Sequence, residues 1–307
     1  MQVRASIGLA LLCGGCGSGD EAAEPTATVQ GPLVRPQPYA STSTPIRWWK
    51  GNPHVHSLWS TGEAPPEAVV DWYRSAGFHF LALTEENTVQ SGERWVPFQA
   101  RQAQYLKGLA WEFGRTTTEW RHVRKGDEGD ELLLKTLPEL RSHYEQQGEF
   151  LLLDGQEIGN GTGLHPVDLV VLGAQRKIEP RYGFEALDRA ERNLAGVREQ
   201  AVAQIGTPLL AYLAHPNRGW TFTAADFAAL RGTRFIEIVN GSAQASSFGD
   251  ETHPSVEALW DQANLERARA GVPLLFGIAG EDEFAMVFHE YDFWADEPHP
   301  GNPWIAV

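Results

Sequence analysis

Cysteine is scarce in this chain. There are only two, Cys13 and Cys16, both at the very start. The remainder therefore has no disulfide, no cysteine nucleophile and no thiolate metal ligand. Positive charge is also in short supply: 25 Lys and Arg stand against 40 Asp and Glu, a formal net charge of −15. Such a field repels a polyanion and argues against loose nucleic-acid binding. A small phosphorylated substrate stays open, because a bound metal inverts the local sign. No internal repeat is visible. The apolar run at the start, residues 5–15, falls well short of the roughly 20 residues of a membrane-spanning helix.

What is present divides into three stretches. Met1-Gln2-Val3-Arg4 is a short basic start, followed by small apolar residues and Cys16. That order resembles a bacterial lipoprotein signal over residues 1–16, with Cys16 as the lipidated residue and the only membrane contact, although Cys13 stands where an aliphatic is usual. The expected location is then the cell envelope or periplasm. Residues 17–45, rich in Gly, Ser, Ala, Glu, Pro and Thr, read as a disordered linker. Residues 46–307, in a chain that is 42% hydrophobic and 21% charged, suit one large globular domain.

Within that domain, short apolar runs predict strands at 47–54, 78–84, 150–157, 168–172, 208–214, 235–239 and 273–279. Longer amphipathic stretches predict helices at 65–76, 96–108, 137–147, 183–205, 224–230 and 255–270. The alternation argues for parallel β/α units, and about seven strands suit a barrel-like closure. The charged segment 124–130 reads as a solvated loop. The closing Trp304-Ile305-Ala306-Val307 reads as a strand that stops in mid-domain.

Polar residues gather at the C-terminal ends of these strands, the edge that carries chemistry in β/α barrels. His54 and His56 stand two apart on an extended segment, so both face one way and can share an ion. Further on come Thr84-Glu85-Glu86-Asn87, Glu157 with Asp168 nearby, His215-Pro216-Asn217, Glu237, Asn240 and Glu281-Asp282-Glu283. Arg218, after the His-Pro-Asn run, is a candidate for bidentate binding of a substrate phosphate, with Arg94 a second candidate. Asn217 is a further substrate-binding candidate. Glu237 and Asn240 are expected to shape the pocket floor by hydrogen bonding. Asp250 and His253 lie in a loop that could line the mouth.

Gly51-Asn52-Pro53-His54-Val55-His56-Ser57, Phe80-Leu81-Ala82-Leu83-Thr84-Glu85-Glu86-Asn87, Asp154-Gly155-Gln156-Glu157-Ile158, Leu213-Ala214-His215-Pro216-Asn217, Ile236-Glu237-Ile238-Val239-Asn240-Gly241 and Phe276-Gly277-Ile278-Ala279-Gly280-Glu281-Asp282 resemble, in order, the motifs of the PHP (polymerase and histidinol phosphatase) domain family. The resemblance spans about residues 46–295. It implies a distorted (β/α)7 barrel and a centre of one to three divalent ions that hydrolyses phosphate esters. It also implies His54, His56, Glu157, His215 and Asp282 as metal ligands. The sequence departs from the family pattern at three places. Glu86 stands where a histidine is usual, Phe284 replaces the histidine of a closing Asp-x-His, and the midway histidine falls at Asp168 or is supplied by His165. Glu86 is carried as a ligand, with Glu85, His165 and Asp168 as further candidates. Oxygen for nitrogen moves the expected metal from Zn²⁺ toward Mn²⁺, Mg²⁺ or Ca²⁺.

Three functions follow. The first is a metal-dependent phosphoesterase acting outside the cytoplasm on a small phosphorylated substrate. The second is a lipid-anchored binding protein of the same fold with a degenerate ligand set. The third, a C–N-cleaving amidohydrolase-like enzyme, ranks last, because no lysine ends a predicted strand where a bridging lysine would be needed.

Overall fold

Of the two units into which the chain divides, Met1–Ile46 and Arg47–Val307, only the second contributes described residues. This computed structural model describes residues 47–97, 123–127, 129–159, 165–204, 206, 208–282 and 305–307. The expected leader and linker, the part of the 96–108 helix beyond Pro97, Glu283, Phe284 and Trp304 lie outside them.

The strands are β1 (Lys50–Val55), β2 (Phe80–Leu83), β3 (Trp95–Pro97), β4 (Val123–Gly126), β5 (Gly129–Leu133), β6 (Leu151–Gly159), β7 (Asp168–Leu172), β8 (Leu210–Ala214), β9 (Phe235–Asn240), β10 (Phe276–Gly280) and β11 (Ile305–Ala306). The α-helices among the described residues are α1 (Pro66–Ser75), α2 (Leu137–Tyr144), α3 (Ala186–Ala203), α4 (Ala224–Ala229) and α5 (Val256–Arg269). Their starts follow local chemistry. Pro66 takes the first turn of α1, where its missing N–H costs nothing. Thr136 with Glu139 and Thr223 with Asp226 form capping boxes for α2 and α4.

One sheet runs β10-β9-β8-β7-β6-β2-β1-β11. Its two ends approach each other: Val55, at the end of β1, bridges Asp282, just past β10. The result is a nearly closed, barrel-like sheet made of the seven predicted strands, with β11 added antiparallel to β1. Strand alternation separates two packing layers. Leu169 and Val171 of β7, with Ala211 and Leu213 of β8, join α3, α4 and α5 in the outer core. Val170, Tyr212 and Ala214 pack together on the other face. A second outer core joins Val69 and Tyr73 of α1, Leu81 and Leu83 of β2, and Leu140 of α2.

Three expectations need correcting. The sheet is not all parallel, because β7 runs antiparallel to both β6 and β8. Residues 160–167, between β6 and β7, are too few for the dozen or so of a crossover connection. The reversal puts Asp168, the first residue of β7, opposite Gly159 and Ala214, at the same edge as the C-terminal ends of its neighbours. Next, segment 124–130 is a β4–β5 hairpin rather than a loop. It is solvated as expected, but Arg124 pairs with Glu131 at 2.6 Å and Lys125 with Asp130 across the strands. Finally, Trp95–Pro97 is strand β3, paired with β5, so a helix does not begin at 96.

Candidate metal centre

The barrel edge draws five buried titratable side chains into one place. His54 and His56 extend from β1 and the turn after it, their rings 5.2 Å apart. Glu157 comes from β6, His215 follows β8, and Asp282 follows β10. His215 Nε2 lies 2.9 Å from Glu157 Oε1, and His56 Nε2 lies 3.1 Å from both Glu157 Oε2 and Asp282 Oδ1. His54 Nε2 sits 3.4 Å from Asp282 Oδ1 and 3.6 Å from Glu157 Oε1. It is buried and lacks a hydrogen-bond partner. Two of these residues hold strained backbone: φ is 24° at His215 and 69° at Asp282, in the left-handed region that side chains other than glycine avoid.

The charges of the five are interlocked. Burial acts to lower the imidazole of His56, but Asp282 and Glu157 outweigh it and push it up to about 10. His215 is held at about 9 against the same burial effect by Glu157, Asp282 and Asp168. His54 is raised well above its ordinary value, with burial opposed by Glu237, Asp282 and Glu157. Burial would raise Glu157, yet the hydrogen bond from His215 and the nearby charge of His54 hold it well below the usual carboxylate range. Asp282 is brought to about 2 in the same way, by His54, His56 and His215 against burial. The pocket is thus built for positive charge among anions.

The donor set fits a divalent cation. One ligand atom from each of His54, Glu157, His215 and Asp282 falls within 4.8 Å of all the others. Imidazole nitrogen mixed with carboxylate oxygen suits Zn²⁺ or Mn²⁺. The Nε2 of His54 faces two carboxylates without a hydrogen-bond partner, a gap that a proton or an ion on that nitrogen would bridge.

The other candidate residues are distributed around this group. Asp168 is buried beside it, with Oδ2 3.8 Å from His215 Nδ1. Glu86 is half-buried at the edge, where burial first and the charge of Glu157 second raise its carboxyl, partly offset by His56 and Arg218. A Cβ on Gly159 would lie 2.9 Å from Glu86 Oε1 and 3.2 Å from Asp168 Oδ1, so a glycine leaves room for both acids. Arg218 is exposed, 3.5 Å from Gln244 Oε1, and its charge reaches Glu86.

Four candidates are not drawn into the group. Glu85 is fully buried, but its oxygens accept from Ser57, Ser60 and Gln90, which makes it an anchor of the loop after β1. His165 is exposed, its Nδ1 3.2 Å from the carbonyl of Gly219. Asn217 spends its amide on the carbonyls of Ser246 and Pro254 and so ties two loops together. Arg94 stacks over Trp59 at 5.7 Å. Asn240 donates to Glu237 Oε2 at 2.8 Å and accepts from the N–H of Ser242, a supporting place under the group. His253 bonds Asp250 and stacks on Trp220 at 4.0 Å, both rings nearly parallel.

Asn52 and Glu281, which sequence reading places in the motifs without a role, are joined here by Tyr73, which it does not single out. Tyr73 donates to Glu281, and Asn52 Nδ2 lies 2.9 Å from the Tyr73 hydroxyl and 3.2 Å from Glu281 Oε2. Asn52 Oδ1 in turn accepts from the N–H groups of His54 and Glu281. Asn52 and Glu281 belong to the first and last motifs, so their place near the group follows from the sequence. Tyr73 lies on the apolar face of α1, and nothing in its spacing marks it.

No protein-family model matches the chain, and no curated protein matches it. Several solved structures are similar. One is a two-domain protein from Bacteroides vulgatus with a part assigned as a PHP-like metal-dependent phosphoesterase, at 16% identity and a TM-score of 0.39, covering 82% of this chain and 56% of that one. This chain thus spans little more than half of that protein's length. A second, from Bifidobacterium adolescentis and assigned as a metal-dependent phosphoesterase, has 13% identity and a TM-score of 0.35, covering 76% of this chain and 87% of that one. A third is an amidohydrolase from Chromobacterium violaceum with bound sulfate and no metal, at 16% identity and a TM-score of 0.35, covering 81% and 90%. The solved structures similar to this chain thus include PHP-like metal-dependent phosphoesterases, and the chain itself has a His/Glu/His/Asp cluster that could bind a metal.

Proposed function

We propose that this chain is a metal-dependent hydrolase of phosphate esters that acts outside the cytoplasm. The observation that carries the reading is the buried convergence of His54, Glu157, His215 and Asp282 within 4.8 Å. These four, with His56 beside them, would hold Mn²⁺, Zn²⁺ or Mg²⁺. Bound there, such a cation supplies Lewis acidity toward a phosphoryl oxygen and acidifies a water molecule. The chain's own groups bind and orient. Glu157 reaches three imidazoles at once and keeps the ligand atoms together. Arg218, exposed at the edge, would take the substrate phosphate bidentately, which a chain of net charge −15 needs in order to retain an anion. A body without cysteine needs no protein nucleophile for this chemistry. The basic start, the apolar run and Cys16 support export, with a lipid anchor at Cys16 as the membrane contact.

The test is turnover of generic phosphomonoesters and phosphodiesters by purified protein supplied with Mn²⁺ or Zn²⁺. Hydrolysis that disappears in His54→Ala supports the reading, and absence of hydrolysis with either metal overturns it.

A binding protein that keeps one cation is the second reading. It is favoured by the single group of ligand atoms among the described residues and by the engagement of Glu85 and His165 elsewhere. Elemental analysis showing two or more tightly held ions per chain would rule against it.

A further inference from the structure

We propose that Glu237 is the positioning residue of this centre, fixing the tautomer of His54 and the backbone of His215 so that both present Nε2 to one cation. The proposal rests on the metal-centre reading above and adds to it a group that binds no metal itself.

Glu237 lies on β9, fully buried. Three donors converge on its two oxygens. His54 Nδ1 meets Oε1 at 3.0 Å, while the backbone N–H of His215 and the amide of Asn240 both meet Oε2 at 2.8 Å. An ionised carboxylate is the side chain that only accepts. A glutamine in its place would turn an N–H toward at least one of the three donors. Because the carboxylate accepts, the hydrogen of a neutral His54 sits on Nδ1 and its Nε2 is bare. Nε2 is also the atom without a hydrogen-bond partner, 3.4 Å from Asp282 Oδ1 and 3.6 Å from Glu157 Oε1.

The same carboxylate acts on His215 through the backbone. His215 turns at φ 24°, and its N–H bond to Glu237 helps to offset the strain that brings Nε2 to 2.9 Å from Glu157. Space for the arrangement is made at Gly280 on β10. A Cβ there would lie 2.5 Å from Glu237 Oε1 and 2.6 Å from His54 Cβ. Three neighbouring strands, β8, β9 and β10, therefore serve one contact. Partners of metal-ligating histidines that orient the ring and raise its basicity typically govern affinity by about 10- to 100-fold.

The experiment titrates metal-free wild-type protein and Glu237→Gln with Co²⁺ alone, following visible absorption, and melts both proteins without metal. The expected result is binding by the wild type, binding about 10- to 100-fold weaker by E237Q with an altered absorption spectrum, and similar melting of the metal-free forms. Equal affinity and equal spectra overturn the proposal. Wild-type protein that binds no Co²⁺ overturns the centre itself, a different failure. A second readout needs no variant and decides the matter should E237Q not fold. In ¹⁵N spectra of the loaded wild-type protein, His54 should carry its hydrogen on Nδ1, and a hydrogen on Nε2 overturns the proposal.

Discussion

His215 Nε2 lies 2.9 Å from Glu157 Oε1, across 58 positions of sequence, and the same carboxylate also faces His54 and His56. One acid therefore serves three imidazoles in a buried site. Removing it leaves three imidazoles with Asp282 as the one carboxylate that faces them all. Glu157→Ala is expected to abolish cation binding and to destabilise the metal-free protein by about 3–5 kcal/mol. Isothermal titration with Mn²⁺ or Zn²⁺ and urea unfolding measure the two effects. Wild-type affinity in the variant would exclude Glu157 from the centre.

Cation binding should strengthen with pH. His56 and His215, at about 10 and about 9 in the folded protein against an ordinary 6.5, are protonated at neutrality without metal. Their raised values stabilise the metal-free fold fully below 6.5, and that contribution is lost as pH rises through 9 and 10. Asp282 works in the opposite sense: its contribution is present above 3.8 and is lost as pH falls through about 2. A cation replaces the imidazole protons, so the rise in melting temperature caused by metal should grow from pH 6.5 to 9. A metal-induced shift that stays flat over this range would show that these imidazoles do not exchange protons for the ion.

Tyr73 is expected to matter although it lies on a helix outside the group. Tyr73→Phe removes the donor to Glu281, next to Asp282, and should cost about 1.5–3 kcal/mol, the range for a hydrogen bond to a charged group. Chemical denaturation measures the loss. A cost near zero would mean that Glu281 is held in place without the Tyr73 hydroxyl.

Glu85 and Arg218 separate folding from binding. Glu85→Ala should destabilise by about 2 kcal/mol or more, by leaving Ser57, Ser60 and Gln90 without their acceptor, while cation stoichiometry stays unchanged. Arg218→Ala should leave stability within about 0.5 kcal/mol, as for most surface changes, and raise KM for a phosphate ester. Loss of the ion in the first variant, or an unaltered KM in the second, would reverse these roles.

The positions of the strands were legible because apolar runs of strand length are bounded by turn residues, and β7 spans the predicted 168–172. The direction of β7 was not, since alternation is the same whichever way a strand runs. For the same reason the sequence alone does not place Asp168, the first residue of its strand, beside Gly159, where the pairing puts it. In the group itself, His54, His56, Glu157, His215 and Asp282 stood out because polar residues are costly at apolar strand ends. Glu85 and Asn217 stood out for the same reason, yet they spend their polarity on neighbouring loops. Sequence cannot distinguish an oxygen facing a cavity from one already met by a serine. The link from Tyr73 to Glu281 spans 208 positions and has no local pattern at all.

The meeting of Val55 with Asp282 has a consequence for how this molecule assembles. His56 and Asp282, 226 positions apart, are joined where the sheet closes, by the N–H of His56 to the carbonyl of Asp282 and the N–H of Asp282 to the carbonyl of His54. Contacts of such high sequence separation are entropically expensive and tend to form late in folding. An ion gripped by both rims would act as a rivet across that seam, inserted only after the last strand has docked. Amide exchange at His56 and Asp282 would then report loading and closure as one event.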